Sequence, residues 1–459
     1  MPPQAPQANS HAAPPPSPLA RYWIHEPGVT FLNHGSFGGC PAAVLETQSA
    51  WRARLEGEPV RFFAEDLFGL IDWARRDTAR FLGCDEGGLV FVPNATTGVA
   101  TAMHNLIASG QAEAGDEVLV TDHEYPACVN NVKHMAKAAG LGVVTARLPF
   151  PNPTPQAVID AVLAAVTPRT RLALLSQITS ASAMVLPAHD IVRELEGRGV
   201  RVVLDGAHAP GHVGMRVEDL GASYYTANLH KWVCSPKGSA VLWVHPDQRE
   251  RCRPIVLSNM AERPMPGRPH LHTEFDYVGT NDPTTVLCVP AALRVMAAIV
   301  RGETPKRFAA EAFETEREAG IVAHAWARIR SENRQKALDA QRLLSDLLGT
   351  RPPVPQSMTA CIAMIALPAA PAEAWDRLKA RPTRHADALQ DALIDRWGVQ
   401  VPVTHAPTPG GSPVRCVRVS GQLYNSPEQY AWLGQALLEE LAAEAREAGI
   451  SRYTEPVAL

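Results

Sequence analysis

A lysine stands at 231 in the run Asn228-Leu229-His230-Lys231-Trp232, just after a short strand-forming stretch, Tyr224 to Thr226. Burying an amine is costly unless it is paired or chemically used. Flanked by His230 and Trp232 and followed by Pro236 and Gly238, this lysine suits a Schiff-base nucleophile shielded from water. Alone, it reads equally well as a surface lysine on a loop. Twenty-six residues earlier, Asp205-Gly206-Ala207-His208 ends the apolar run Val200 to Leu204. A carboxylate at a strand end can keep a pyridine nitrogen protonated, which makes the ring of pyridoxal 5'-phosphate (PLP) an electron sink for a carbanion at Cα. It can also simply cap the next helix. A third run, Asn94-Ala95-Thr96-Thr97-Gly98, joins an apolar stretch to a helical one. Backbone N–H groups and hydroxyls at a helix start make an anion site fit for phosphate, and an ordinary threonine cap reads the same.

Positioning such groups takes a rigid scaffold. From about 88 to 245, apolar runs at 89–92, 117–120, 172–175, 200–204 and 240–244 alternate with helical spacing at 98–109, 127–139, 155–166 and 188–198. This alternation predicts an α/β domain with a mainly parallel, seven-stranded-type sheet flanked by helices. Ligands in such sheets sit at the carboxyl ends of strands, where 94–97, 122–125, 176–180 and 205–208 fall. Residues 31–39 are too glycine-rich for a helix or central strand and read as a loop whose backbone approaches something closely. Residues 41–82 carry helical spacing. Residues 285–348 read as mainly helical, and 355–459 as a smaller α+β domain with strands at 360–367 and 414–420 and helices at 385–397 and 427–448. The expected division is a Pro/Ala-rich disordered tail at 1–20, an N-terminal arm and helix at 21–65, a large domain at 66–300 and a small C-terminal domain at 301–459.

The chain has 459 residues, 46% hydrophobic and 20% charged, with 43 basic and 47 acidic residues. That balance argues against a nucleic-acid surface spread over the whole chain. The eight cysteines are scattered without a C-x-x-C, so a reduced, cytoplasmic protein without a zinc site is expected. No apolar run is long enough to span a bilayer. The first residues lack the basic and apolar regions of a secretory signal.

In order, Ala95-Thr96-Thr97-Gly98, His123-Glu124-Tyr125, Asp205-Gly206-Ala207-His208 and His230-Lys231 resemble the class V aminotransferase-fold enzymes, PLP-dependent proteins of fold type I. Within them, Phe31 to Gly38 (FLNHGSFG), Phe275 to Pro283 (FDYVGTNDP) and Arg418 to Asn425 (RVSGQLYN) look most like isopenicillin N epimerase-like proteins. The resemblance covers about 21–450. It implies that Lys231 is the Schiff-base lysine and proton shuttle, and that Asp205 holds the pyridine nitrogen. His208 and Gln177 would lie near the ring hydroxyl, and Tyr125 on the ring face. Ala95, Thr96, Asn228 and His230 would hold the phosphate. Thr280 would reach the phosphate of a neighbouring subunit, which implies a homodimer with shared sites. Arg418 would clamp a substrate carboxylate, with Asn33 and His34 nearby.

The resemblance puts epimerisation of an amino acid or its derivative first. A carbon–sulfur lyase acting on cysteine conjugates and an aminotransferase are the alternatives. Relatives that desulfurate cysteine carry a reactive Cys on a loop ahead of that arginine. Here Val403, Thr404 and His405 stand there, and Cys416 falls within a strand. His208 and His212 are separated by Pro210-Gly211, so no helix presents both to a metal. A non-catalytic PLP-binding module would not need both Lys231 and Arg418. A Rossmann-type nucleotide enzyme would need a G-x-G-x-x-G after a strand, which is missing.

Overall fold

The computed structural model describes residues 12–306, 316–450 and 453. In chain order the strands begin with β1 (Thr30–Phe31). Seven strands of the main sheet follow: β2 (Leu89–Val92), β3 (Glu117–Thr121), β4 (Gly142–Ala146), β5 (Thr170–Ser176), β6 (Arg201–Asp205), β7 (Tyr224–Asn228) and β8 (Ala240–Val244). Then come β9 (Ile362–Ala366), β10 (Val399–Gln400), β11 (Val403–Ala406) and β12 (Val414–Ser420).

The main sheet runs β2-β8-β7-β6-β5-β3-β4. The strands from β7 to β4 are parallel, and β8 is antiparallel to both its neighbours. β6, β7 and β8 are buried almost end to end, as helices on both faces of a parallel sheet require. β6 and β8 therefore read as apolar runs, while β7, Tyr-Tyr-Thr-Ala-Asn, carries polar residues and reads only as a short strand-forming stretch. β4 has no such run. It is an edge strand, half exposed and opened by Gly142, so its residues carry no strong pattern.

Helix Ala95–Ala108 is capped by Asn94, whose side chain accepts from Thr97 N–H at 2.9 Å. Helix Pro126–Ala139 starts on a proline and ends at Gly140 in the left-handed region, a matched start and stop. Both caps sit at carboxyl ends of strands, so the helix starts converge on the same edge of the sheet.

The C-terminal part forms an antiparallel sheet β11-β12-β9. Helix Glu316–Leu348 joins it to the large domain, packing on helix Val289–Val300 on one side and on β9 and helix Pro427–Ala448 on the other. The chain's start also belongs here: β1 pairs with β10, Thr30 opposite Val399, and Leu32 is buried with Leu389, Leu393 and Trp397. The expected separate arm at 21–65 is thus tied by its first strand to the small domain. Helix Ala372–Lys379 goes unmarked in the sequence: its apolar face is only Ala374, Trp375 and Leu378 in 8 residues, and the Pro- and Ala-rich run before it hides the start.

Of the expected disordered tail, residues 1–11 lie outside the described residues. Residues 12–20 are seated on the protein: Ser17 N–H donates to Tyr424 O at 3.0 Å, and Pro15 O accepts from Ser426 Oγ at 2.8 Å. Composition misleads there because these are backbone contacts, which do not need an apolar side chain.

Candidate active site

The cavity at the carboxyl ends of the strands has a volume of ≈ 260 Å³. Lys231, Asp205, His208, Tyr125, Asn228, His230, Ala95, Thr96 and Arg418 all line it. Residues up to 323 positions apart in sequence therefore meet in one place, and each comes from a strand end, a helix start or β12.

Lys231 follows β7 in a tight turn. Its Nζ lies 3.1 Å from His208 Nε2. Burial pushes its amine down to about 8, with the Arg418 charge adding to the effect and Asp205 opposing it. Near neutral pH a usable fraction is therefore the free amine. Burial also pushes His208 well below the ordinary imidazole range, helped by the charges of Lys231 and Arg418. A neutral His208 accepts the lysine's hydrogen bond at Nε2, and its Nδ1 is buried without a partner.

Asp205 ends β6. Its Oδ1 accepts from Ala207 N–H at 2.8 Å and its Oδ2 from Cys128 Sγ at 3.5 Å. Burial raises its carboxyl above the usual range, opposed by the Ala207 N–H, by Lys231 and by Cys128. A protonated ring nitrogen is the kind of cation that would stabilise this carboxylate.

At the first turn of helix Ala95–Ala108, Ala95 N–H donates to Asn228 Oδ1 at 2.9 Å. Asn228 thus braces the helix start to β7 as well as lining the cavity. His230 directs Nδ1–H to Ser239 O at 3.0 Å. Burial, with the Lys231 charge, holds it down at about 4, so the free ring is neutral and its Nε2 donates only once it is protonated beside a bound anion. Helix dipole, Thr96 and His230 together form an anion cup.

Arg418 lies on β12, 5% exposed. Its Nη1 donates to Ser180 O at 2.6 Å and its Nη2 to Ser36 Oγ at 2.6 Å, with Asn33 Oδ1 at 3.5 Å. Its Nε is buried without a partner, and among the described residues no carboxylate pairs with it. Burial accordingly lowers it to about 10. Arg415, three residues earlier and so on the opposite face of the strand, pairs with both Asp387 and Glu444. The contrast marks Arg418 as a guanidinium awaiting an anion.

Four expected residues, Gln177, His34, Thr280 and Asn33, do not line the cavity. Gln177 alternates away from it between Ser176 and Ile178, which do line it, and its carboxamide meets Tyr225 and Met215. His34 packs behind the lysine: Nδ1 meets the Tyr424 hydroxyl at 2.9 Å and Nε2 the Lys231 carbonyl at 3.1 Å. It shapes the turn that carries Lys231 and has no open path to a substrate. Thr280 is exposed on a loop, its hydroxyl 3.2 Å from that of Tyr277. Asn33 stands between the two groups, bonded to Ser36 at 2.6 Å and reaching Arg418.

Sequence reading gave no individual role to Ser36, Phe37, Ser176 and Ser180, which line the cavity, although 176–180 was placed at the strand ends where a ligand is expected. Serines carry no spacing signal, although Ser36 and Phe37 lie inside the glycine-rich run. That run does approach something closely. A Cβ on Gly38 would lie 2.1 Å from His230 O and 2.9 Å from Lys231 Cα, and its φ is +71°. Replacing Gly38 by alanine is expected to destabilise the fold by at least about 2 kcal/mol and to reduce PLP retention. Thermal unfolding and cofactor absorbance measure both; a variant unchanged in both contradicts the close approach.

Comparison with known proteins agrees with this constellation. The profile of the family "Aminotransferase class-V" matches residues 40–300. Isopenicillin N epimerase from Amycolatopsis lactamdurans is 31% identical, over 90% of this chain and 96% of its own. A probable chloroplastic L-cysteine desulfhydrase from Arabidopsis thaliana is 28% identical, over 90% of this chain and 83% of its own. A solved structure of a C-DES mutant, with glycine covalently linked to its PLP cofactor, superposes with a TM-score of 0.70 at 19% identity, covering 91% of this chain and 98% of that one.

The residues present fit PLP. A buried lysine with a depressed pKa, a buried carboxylate that forms no ion pair among the described residues, an anion cup and an orphaned His208 Nδ1 surround one cavity. The chain belongs to the class V aminotransferase family, and its cofactor is pyridoxal 5'-phosphate.

Proposed function

We propose that this PLP enzyme takes the α-proton from an amino acid or amino-acid derivative and returns it with inversion at Cα. One observation carries the reading: Lys231 and the unpaired Arg418 face the same cavity. Bound PLP supplies the electron withdrawal that acidifies Cα. Arg418 receives the substrate carboxylate in a bidentate fork, which fixes Cα relative to Lys231. Lys231 Nζ carries the proton at Cα, held by neutral His208 at 3.1 Å. Asp205 would stand against the ring nitrogen and favour its protonated form. Ala95 and Thr96 at the helix start, with Asn228 and His230, would hold the phosphate. Inversion needs a second proton carrier, and Tyr125, which lines the cavity from a different element, is the group this chain offers.

A carbon–sulfur lyase is the second reading. Elimination needs only Lys231 as base, and the plant desulfhydrase likeness spans 90% of the chain. Among the described residues no cysteine lines the cavity, so a persulfide carried on this chain is not part of either reading.

Arg61, Arg263, Arg268 and His405 lie in stretches that could supply a cation for a second acidic group of the substrate, but within one chain none of them lines the cavity. Arg268 is engaged by Asp72 and Asp276, and His405 by Asp387. Arg61 lies beside Glu58 and Glu65.

The working unit in this proposal is a homodimer. Ile255, Val256 and Leu257 are 49%, 60% and 54% exposed, a contiguous apolar edge beside the loop that carries Thr280. Pairing of two chains there would cover it and bring Thr280 to the neighbour's phosphate cup. Among the described residues no helix is long and apolar enough to cross a membrane, and all eight cysteines are free, which suits the cytoplasm.

The test is to incubate the PLP-loaded protein in deuterated water with amino acids and cysteine conjugates, following the α-proton by NMR. Exchange with inversion and no consumption is the expected result. Consumption to pyruvate and ammonia would replace the epimerase reading by the lyase. Sedimentation as a monomer at micromolar concentration would remove the shared-site dimer.

A further inference from the structure

Glu124 sits between His123 and the cavity-lining Tyr125, but its own side chain does not line the cavity. It is buried, 7% exposed, and among the described residues no cation pairs with it. Two hydroxyls take its oxygens. Thr121 Oγ1 at the end of β3 donates to Oε1 at 2.7 Å, and Ser176 Oγ at the end of β5 donates to Oε2. Ser176 does line the cavity, and it faces Asp205 in register across β5 and β6. A buried carboxyl is therefore linked through one hydroxyl to the cavity wall beside the carboxylate that receives the ring nitrogen.

We propose that Glu124 is a positioning residue for the cofactor, orienting the Ser176 hydroxyl at the cavity wall and setting the charge beside Asp205. When Glu124 is ionised, both hydroxyls point their protons at it, and Ser176 offers only lone pairs to the cavity. When it is protonated, its own O–H needs an acceptor. Ser176 Oγ can then accept a hydrogen bond from that O–H and turn its own proton toward the cavity.

The groups facing Glu124 favour the exchange. Asp205 from β6 is a like charge, Cys128 from helix Pro126–Ala139 is a thiol, and Thr121 and Ser176 are neutral. Burial pushes the Glu124 carboxyl up to about 7, opposed by the two hydroxyls and the Ser176 backbone, with Asp205 adding to the rise. Both states of the link are thus populated near neutral pH. Burial raises both carboxyls, and of the two only Asp205 lines the cavity where a cationic ring nitrogen would be received. Here Asp205 takes the cation and Glu124 the proton.

The test has one readout on the apo protein and one on the loaded protein. Infrared titration of the apo protein is expected to show the carbonyl band of a protonated buried carboxyl with a midpoint near 7. Ser176→Ala removes a donor that favours the ionised form, so the midpoint should rise by about one pH unit. Glu124→Gln should abolish the band. In the PLP-loaded protein, Glu124→Gln also removes the anion that favours a cationic ring. The pH midpoint of the bound cofactor's absorbance should then fall by about half to one unit. A purely structural Glu124 would leave that midpoint in place. Superimposable cofactor titrations of wild type and Glu124→Gln overturn the proposal. So does an infrared midpoint unmoved by Ser176→Ala, a milder variant that retains the carboxyl.

Discussion

Lys231→Ala is expected to lower α-proton exchange by about 10³-fold or more, the scale of a removed acid–base group that is also the nucleophile. It should also end covalent attachment of the cofactor. Borohydride treatment of the loaded wild type should fix PLP to the chain, and the same treatment of the variant should not. A reducible adduct persisting in Lys231→Ala would defeat the assignment, since Lys237, six residues on, would then be the attachment point. The same lysine predicts a pH signature in the apo protein. Its folded pKa is about 8 against an ordinary 10.5, so the unfolded chain binds more protons between those values. Stability from this group therefore rises with pH across the window from about 8 to 10.5 and is flat below it. Lys231→Met should lack that rise. The difference between the two unfolding curves isolates the lysine from every other titrating group, and parallel curves would mean that the amine is not buried as described.

How much of this was legible in sequence depends on what each residue needs from its neighbours. Lys231, Asp205 and Thr96 sit where a strand gives way to a turn or helix. Local spacing marks those places, because the strands feeding Asp205 and Thr96 are apolar runs and the one feeding Lys231 opens with two aromatics. The large domain follows from the same runs. Arg418 was legible through the resemblance of its C-terminal run. What makes it unusual is the lack of a carboxylate around it, which is a three-dimensional fact. Gln177 went astray by one residue of alternation: the face of an extended segment is decided by packing at its end, where the apolar pattern stops. His34 and Gly38 lie in the segment expected to approach something closely, but His34–Phe37 turns as a short helix that the glycine count argued against, and the approach has a more specific reason than sequence gives. The loop presses on the backbone of His230 and Lys231, and a contact between residues nearly two hundred positions apart leaves no local trace. The two-residue pairing of β1 with β10 is hidden for the same reason.

Arg418 gives the second large effect, with opposite signs for activity and stability. Its guanidinium is buried, bonded only to a carbonyl, a hydroxyl and a distant carboxamide, and without an anion among the described residues. Such a charge costs folding free energy, because the desolvation it suffers is not repaid by a partner. Arg418→Met keeps much of the volume and removes the charge. The apo protein is therefore expected to gain stability, by about 1–3 kcal/mol, read as a higher unfolding midpoint. Substrate binding pulls the other way. Losing a bidentate, charge-assisted contact to a carboxylate should lower kcat/KM by about 10²–10³-fold. Arg418→Lys separates geometry from charge: it keeps the cation but cannot form the fork, so it should recover only part of the activity and none of the stability. An amino-acid amide in place of the acid should be nearly indifferent to all three side chains. If Arg418→Met instead destabilises the apo protein and leaves KM for the acid unchanged, the guanidinium is holding the Ser36 and Ser180 segments together rather than waiting for a carboxylate. The unpaired charge is thus a stability cost that only makes sense if a ligand repays it. That puts recognition of a carboxylate, whichever reaction follows, at the centre of what this cavity is built to do.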